Sequence, residues 1–436
     1  MGSAQSNRRR IAITGLGILS PIGIGREEFT TNLLAGKSGI SKLTSLPASA
    51  VPQHIGGEVK EFTDKTAKNY IKQRKSIKVM CREIQLGVGA ATLAMEDAGI
   101  GEGTIPPERL GVEYGANLML SPPEVLFDAG KACSDQETLA FHHEMWGTSG
   151  LGNMTPLWLL HYLPNMPACH IGIYADARGP NNSLTMAEAS GNLALGEAYR
   201  ILTRGSADVM ITGTTGTTTH AVKSIHAVLW DHLSNYEGAP EEACRPFDAE
   251  RSGQVVAEGA ATLILEEAEH AAKRGAKVLG YILGTGSSCV VDKSGKPHLK
   301  QAMALAMKAA LADAGLSPAD VGHVNAHGLG TPKEDAEEAE AIHEVFGSMG
   351  DKVPVTAFKS YWGNPGSSCG TMELAASIMG LQSGQILPTL NYRKPDPACR
   401  LNVVHGSPAS TTNSIVLKVS VTRNGQASAA VVQGKA

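Results

Sequence analysis

Charge and long hydrophobic runs are both scarce in this sequence of 436 residues. Charged residues make up 18% of the chain, the net charge is −4, and the longest basic run is Arg8–Arg10, which argues against a nucleic-acid-binding platform. No apolar run reaches the ~18 residues of a membrane span. The polar N-terminus also lacks the hydrophobic core of a secretory signal. We therefore expect a cytoplasmic protein that binds neither nucleic acid nor membrane.

The cysteines lack the spacing of a metal site or a disulfide framework. There are seven, an odd number, and none forms a CxxC pair or a close Cys-His cluster. Free thiols in a reducing compartment are the expected state. The pair Gly15 and Gly17 lacks both the third glycine and the downstream acidic residue of a dinucleotide fingerprint. We accordingly predict no metal and no cofactor.

Strand and helix patterns alternate along the first half of the chain. Strand patterns lie at 9–20, 109–116 and 207–213, and helical patterns lie at 26–35 and 64–98. Only 5% of residues are aromatic, so aliphatic side chains are expected to fill the core. This alternation is typical of an α/β fold.

A similar order of elements returns in the second half. A strand pattern at 277–286 echoes the first strand, and a helical pattern follows at 297–316. The repetition predicts an internal duplication, with one half at 9–267 and the other at 268–436. The polar residues 1–8 are predicted to form a disordered leader.

The stretch GPNNSLTMAEASG, residues 179–191, has the pattern of a strand, a sharp turn and a helix. The helical pattern runs from Ala187 to Ile201. A side chain at such a turn faces unpaired N–H groups and the positive end of the helix dipole. An α/β enzyme would place a nucleophile there, and this chain has Glu188.

Four motifs together resemble those of the β-ketoacyl synthases, condensing enzymes of the thiolase-like superfamily. The family pattern near GP…TACxSG matches 179–191, except that Glu188 replaces the nucleophilic Cys. The other three matches are RRIAITGLGILSPIG near the start, RPFDAERSG at 245–253, and His327-Gly328 with its following acidic residues. The resemblance covers about residues 9–432. It implies a duplicated, thiolase-like αβαβα five-layer sandwich and synthesis of fatty acids or polyketides on an acyl carrier protein.

The resemblance also implies a set of site residues. His327 falls on the first catalytic histidine of the family, and Lys359 with Glu338 matches a supporting ion pair. Asn364 falls on the second histidine, five residues after the lysine. Its amide can still donate a hydrogen bond to a carbonyl. Ketosynthases that start fatty-acid chains use a Cys-His-Asn set, so this change alone need not abolish decarboxylation.

Glu188 is the severe departure from the family. A carboxylate is a weak nucleophile toward a thioester, so acyl transfer in the family's manner is not expected. Relatives with Gln at this position form no acyl-enzyme, and some of them decarboxylate malonyl units. Glu188 could imitate Gln if protonated, pair with His327 or Lys359 if ionised, or fill a retired pocket. A free glutamate has a pKa of about 4.3.

Two further replacements fit the loss of the nucleophile. Val421 and Arg423 align with the Phe residues of the family's acyl-sensing gate. The segment 117–150, which builds the dimer interface in the family, is the part least like the relatives.

Three functions stay open from the sequence. The first is a partner subunit of a Cys-containing ketosynthase, as chain-length factors are, although those factors usually lose the counterpart of His327. The second is an enzyme that uses Glu188, His327 and Asn364 on malonyl or another acyl carrier thioester. The third is a homodimeric binding protein for acyl carriers.

Overall fold

The computed structural model describes residues 8–435, so seven of the eight residues of the predicted leader lie outside the described part. Within it, the α-helices are α1 Arg26–Leu34, α2 Ala67–Tyr70, α3 Arg82–Asp97, α4 Glu124–Ala132, α5 Met166–Ala175, α6 Ser190–Thr203, α7 Ala221–Trp230, α8 Ala268–Lys273, α9 Leu299–Ala314, α10 Pro332–Phe346, α11 Lys359–Trp362 and α12 Cys369–Gln382. The strands are β1 Ile11–Ser20, β2 Gly23–Ile24, β3 Ile40–Lys42, β4 Ile55–Gly57, β5 Leu110–Ala116, β6 Asn181–Leu184, β7 Val209–Thr217, β8 Val256–Glu267, β9 Gly280–Cys289, β10 His323–Asn325, β11 Pro354–Thr356, β12 Gln385–Ile386, β13 Asn402–Val403, β14 Ala409–Ser410, β15 Ile415–Val421 and β16 Gln426–Gly434.

The main sheet repeats one topology on either side of its centre. Its order is β13-β11-β10-β15-β16-β9-β1-β8-β7-β5-β6. Outward from the centre, β1-β8-β7 and β9-β16-β15 pair antiparallel, whereas β7-β5-β6 and β15-β10-β11 pair parallel. A short antiparallel ladder joins β1 to β9, including Ile11 opposite Ile282. The two halves therefore share one strand order, and a boundary at residue 268 stays a prediction.

Helices cover both faces of each half of the sheet. Helices α6 and α12 contact strands of both halves and form the middle layer. Helices α3 and α5 pack on the outside of one half, and α9 packs on the outside of the other with α10 against it. The predicted five-layer αβαβα sandwich is confirmed.

The first turns of the two middle helices touch. A Cβ atom added to Gly191 in α6 would lie 2.8 Å from the Thr371 backbone nitrogen and 2.9 Å from the Gly370 Cα in α12. Residues Cys369–Leu381 are all buried, since the helix is almost entirely apolar or small. Close packing at this point brings two positive helix ends to one place in the molecule.

One local prediction differs from the structure. The single helix predicted at 64–98 is wrong: α2 and α3 are separate, because the chain between them turns to bury Ile71 and Met80. Helix α4, within the segment 117–150, starts directly after Pro123. Helix α5 begins at Met166, and Pro167 occupies its first turn. Within residues 8–435, no helix is long and apolar enough to cross a membrane.

Candidate active site

The turn that carries Glu188 has the predicted strand, turn and helix geometry. Strand β6 ends at Leu184, a short 3-10 turn covers Ala187–Ala189, and α6 follows. Ala187 has φ of 42°, a left-handed conformation that costs energy for a residue with a Cβ. The Ser428 hydroxyl donates to the Ala189 carbonyl at 2.9 Å. A strained and tethered turn thus presents the Glu188 side chain.

The Glu188 carboxylate is bound by Asn364. Asn364 Nδ2 donates to Glu188 Oε1 at 3.1 Å and to Gln254 Oε1 at 2.8 Å. Asn364 Oδ1 accepts from the Gly366 N–H at 3.1 Å. Because both N–H groups of the amide are engaged, Asn364 orients Glu188 and has no proton left for a substrate carbonyl. The sequence expectation that Asn364 donates to substrate does not match this arrangement.

Cys369 is the cysteine closest to this turn, and it is inaccessible. Its Sγ lies 3.6 Å from the Glu188 carbonyl oxygen, and the residue is fully buried at the start of α12. Burial raises the pKa of the Cys369 thiol to about 12. Since a nucleophilic cysteine needs exposure and a lowered pKa, Cys369 is not a nucleophile for the site at this turn.

His327 lies at the end of β10 with its ring on the same cavity as Glu188. The Lys359 ammonium donates to His327 Nδ1 at 3.2 Å and to the His327 carbonyl at 2.7 Å. Burial, together with Lys359 and Lys418, holds the pKa of His327 well below its usual value. The neutral ring must therefore carry its proton on Nε2, which makes Nε2–H a hydrogen-bond donor toward the cavity.

The predicted ion pair between Lys359 and Glu338 is wrong. Lys359 Nζ lies 2.8 Å from Glu373 Oε1 in α12, with both side chains fully buried. Glu338 instead accepts the backbone N–H groups of His327 at 2.6 Å and Gly328 at 2.8 Å. Its function is to hold the loop that carries the histidine, and burial raises the pKa of Glu338 to about 7.

A second buried lysine contacts the same glutamate. Lys418 in β15 forms an ion pair with Glu373 Oε2 and donates to the carbonyls of Val419 at 2.7 Å and Ala326 at 3.1 Å. Burial lowers the pKa of Lys418. Burial acts in the same direction on Lys359, but the neighbouring Cys369 and Glu373 reverse its effect, and the pKa of Lys359 is raised.

A cavity of about 480 Å³ opens over Glu188 and His327. Val421 and Arg423, the predicted counterparts of the family's gate residues, both line it. Arg423 forms an ion pair with Asp231 at 3.2 Å and lies over the ring of Trp230. The cavity is therefore open to a ligand, and its wall carries charges of both signs.

The structure thus brings Glu188, Asn364, His327, Lys359 and Glu338 into one region, as the sequence predicted. It adds three residues that the motifs did not indicate, namely Gln254, Glu373 and Lys418. A signal for two of them exists in the sequence. Glu373 is the one charged residue in the apolar run 369–381, and Lys418 is the one charged residue in the strand 415–421.

The duplicated five-layer fold, with a turn at the start of a buried helix and a histidine facing it, defines a thiolase-like protein of the ketosynthase type. The family model for the β-ketoacyl synthase N-terminal domain matches residues 8–271, and the model for the C-terminal domain of the same family matches residues 279–393. The chain belongs to the β-ketoacyl synthase family.

Individual proteins agree with this assignment. The chain is 32% identical over 400 residues to a 3-oxoacyl-[acyl-carrier-protein] synthase 2 of Coxiella burnetii, covering 91% of this chain and 92% of the relative. Among solved structures, the ishigamide ketosynthase/chain length factor is similar with a TM-score of 0.84 and 26% identity, over 98% of this chain and all of that one. A type II polyketide acyl-carrier protein in complex with its ketosynthase, AntDE:AntF, is similar with a TM-score of 0.80 and 26% identity. The match covers 98% of this chain and 100% of that one.

Proposed function

We propose that this chain is a non-condensing subunit of a ketosynthase assembly in fatty-acid or polyketide synthesis, in the manner of a chain-length factor. One observation carries the proposal. Glu188 lies at the turn that the motif predicts for the acyl-accepting cysteine, and within residues 8–435 no cysteine lines the cavity above it. An acyl group delivered to this site meets no thiolate, so the protein cannot hold it as a thioester.

The surface supports assembly with a partner subunit. Large apolar side chains are exposed along the segment from 118 to 173, which contains most of the region least like the relatives, 117–150. Exposed apolar surface of this kind marks a protein–protein interface. The exposed residues are Leu118, Phe127, Leu139, Phe141, Leu151, Leu157, Leu159 and Ile173. We propose that a Cys-containing ketosynthase covers this surface, with a homodimer as the alternative, and that an acyl carrier protein of the cytoplasm supplies the acyl groups.

Native mass spectrometry tests the partner proposal. The chain is purified alone and after co-expression with a Cys-containing ketosynthase encoded beside it. The expected product is a one-to-one heterodimer, and Phe127→Glu is expected to weaken it. Leu305→Glu is the matched control, because Leu305 is an exposed leucine on the outer helix α9, away from that segment. A chain that forms only homodimers in the presence of the ketosynthase contradicts the proposal.

A second candidate function is decarboxylation of malonyl carrier protein by the chain alone. The observation that favours it is the Nε2–H of His327, which faces the cavity and can stabilise the enolate oxygen formed when CO₂ leaves. The test is the intact mass of malonyl carrier protein after incubation with the chain. Conversion to acetyl carrier protein that is lost in His327→Ala supports this function. An unchanged malonyl mass contradicts it.

A further inference from the structure

Glu188 lies beside a cluster of buried charged side chains. Lys359 and Lys418 both form ion pairs with Glu373, and all three side chains are fully buried. The buried Glu338 also interacts with Lys418. Glu188 adds a carboxyl group at the turn beside this cluster, where it acts on Lys359.

A carboxylate and a hydrogen-bond donor then line one cavity. Glu188 Oε1 accepts from Asn364, so the side chain is already bound as an acceptor. The His327 ring lines the same cavity. Lys359 contacts the Nδ1 atom of this ring, so the Nε2–H is left to donate to a ligand. A base and an oxyanion donor at one site are the two groups that proton abstraction next to a carbonyl requires.

We propose that Glu188 is a general base that removes a proton from the α-carbon of an acyl thioester, with His327 as the donor to the thioester oxygen. The inference rests on the proposed function in one respect: an acyl thioester enters the cavity without acylating the protein.

The step is a reversible enolisation. A Glu188 oxygen takes the α-proton, and the electron pair of the C–H bond becomes the second bond between the α-carbon and the carbonyl carbon. The carbonyl π electrons move to the oxygen, where the Nε2–H of His327 stabilises the enolate. Return of a proton from Glu188 restores the thioester, so no other reactant is consumed.

The charged and titratable groups that act on Glu188 come from several elements. Lys359 lies on α11 and Cys369 on α12, and both respond to the charge of Glu188. Asp231 follows α7 and is also influenced by Glu188. The remaining groups around the cavity and the cluster are Lys223, His226, His232, His327, Glu334, Glu338, Glu373, Lys418 and Arg423.

Hydrogen–deuterium exchange into acetyl-pantetheine tests the proposal. The thioester is incubated in D₂O with the purified chain, and deuterium at the α-carbon is measured by mass spectrometry. We expect α-exchange with the wild-type protein to be clearly faster than exchange in buffer alone. For Glu188→Gln we expect this protein-dependent exchange rate to fall by about 10²-fold or more. Exchange at the buffer rate with wild type, or at the wild-type rate with Glu188→Gln, overturns the proposal.

The same variant separates this inference from the decarboxylase candidate. Glu188→Gln removes an anion that repels malonate, so decarboxylation is expected to rise while α-exchange falls. A fall in both activities contradicts the electrostatic argument. Exchange is measured on the chain alone, so the partner experiment can fail without affecting it.

Discussion

Asn364 Nδ2 lies 3.1 Å from Glu188 Oε1, so the residue predicted at the second-histidine position binds the residue predicted at the nucleophile position. Two predicted departures from the family therefore meet in one hydrogen bond. The contact fixes the direction of the Glu188 carboxylate and engages an amide that would otherwise face substrate. Of the two side-chain donors expected from the motifs, only His327 keeps a proton for a ligand carbonyl.

The buried lysine–glutamate cluster should be a major source of stability. Glu373→Gln leaves two buried ammonium groups without the carboxylate that pairs with both of them, and we expect a loss of about 3–5 kcal/mol in the free energy of unfolding. Glu344→Gln is the matched control, because the Glu344–Lys308 pair at 2.7 Å is largely exposed and should contribute less than about 1 kcal/mol. Urea unfolding measures both, and similar losses contradict the prediction.

The meeting of α6 and α12 predicts opposite effects of two Gly→Ala substitutions. In Gly191→Ala the new methyl group would lie 2.8 Å from the Thr371 nitrogen, so the helices must separate, at a cost of about 1–3 kcal/mol. Gly130 lies inside α4 with nothing within 4 Å of an added Cβ. Gly130→Ala should stabilise the protein by about 0.5–1 kcal/mol. Thermal unfolding of both variants tests this contrast, and equal shifts contradict it.

Buried His323 predicts a loss of stability in acid. Burial lowers the pKa of His323 from 6.5 to about 3. As the pH falls below 6.5, the unfolded chain binds a proton that the folded chain does not, so stability falls by about 1.4 kcal/mol per pH unit. His323→Asn should reduce the slope between pH 6.5 and 5 by the share of one histidine, because buried His327 contributes a slope of the same sign, whereas the exposed His298→Asn should leave the slope unchanged. Urea unfolding at both pH values measures how the free energy of unfolding changes with pH. A change in His323→Asn as large as that in wild type contradicts the account.

Thiol labelling tests the claim that no cysteine serves the cavity. Iodoacetamide at neutral pH should modify the exposed Cys289 and leave Cys369 unmodified, since burial both shields the latter and raises its pKa to about 12. Peptide mapping after labelling of the folded protein gives the labelling rates of Cys289 and Cys369. Labelling of Cys369 as fast as Cys289 would reopen the question of a displaced nucleophile.

The fold could be predicted because its signals are local and repeated. The strand at 9–20 and the helix at 297–316 follow simple periodicities, and both are present within two residues or so of the expected bounds. The break between α2 and α3 was not predicted because it is set by the burial of Ile71 and Met80, which depends on tertiary packing.

The site was predicted as far as motif positions allow. Glu188 and His327 lie at fixed offsets within motifs, and the structure brings both to one cavity. The partner of Lys359 was assigned to Glu338, whereas it is Glu373 on the middle helix. That pairing depends on how α11 and α12 pack, and sequence spacing does not encode the distance between two buried side chains.

The most direct test of the account is the intact mass of the protein after incubation with an acyl carrier thioester. Wild type is compared with Glu188→Cys, and Cys369→Ala is added to both backgrounds to exclude the neighbouring thiol. We expect no added acyl mass on wild type and one acyl group on Glu188→Cys, because the turn, the helix end and His327 are retained around the new thiol. Acylation of wild type, or a folded Glu188→Cys variant that stays unmodified, would contradict the claim that Glu188 replaces the nucleophile of an otherwise conserved site architecture.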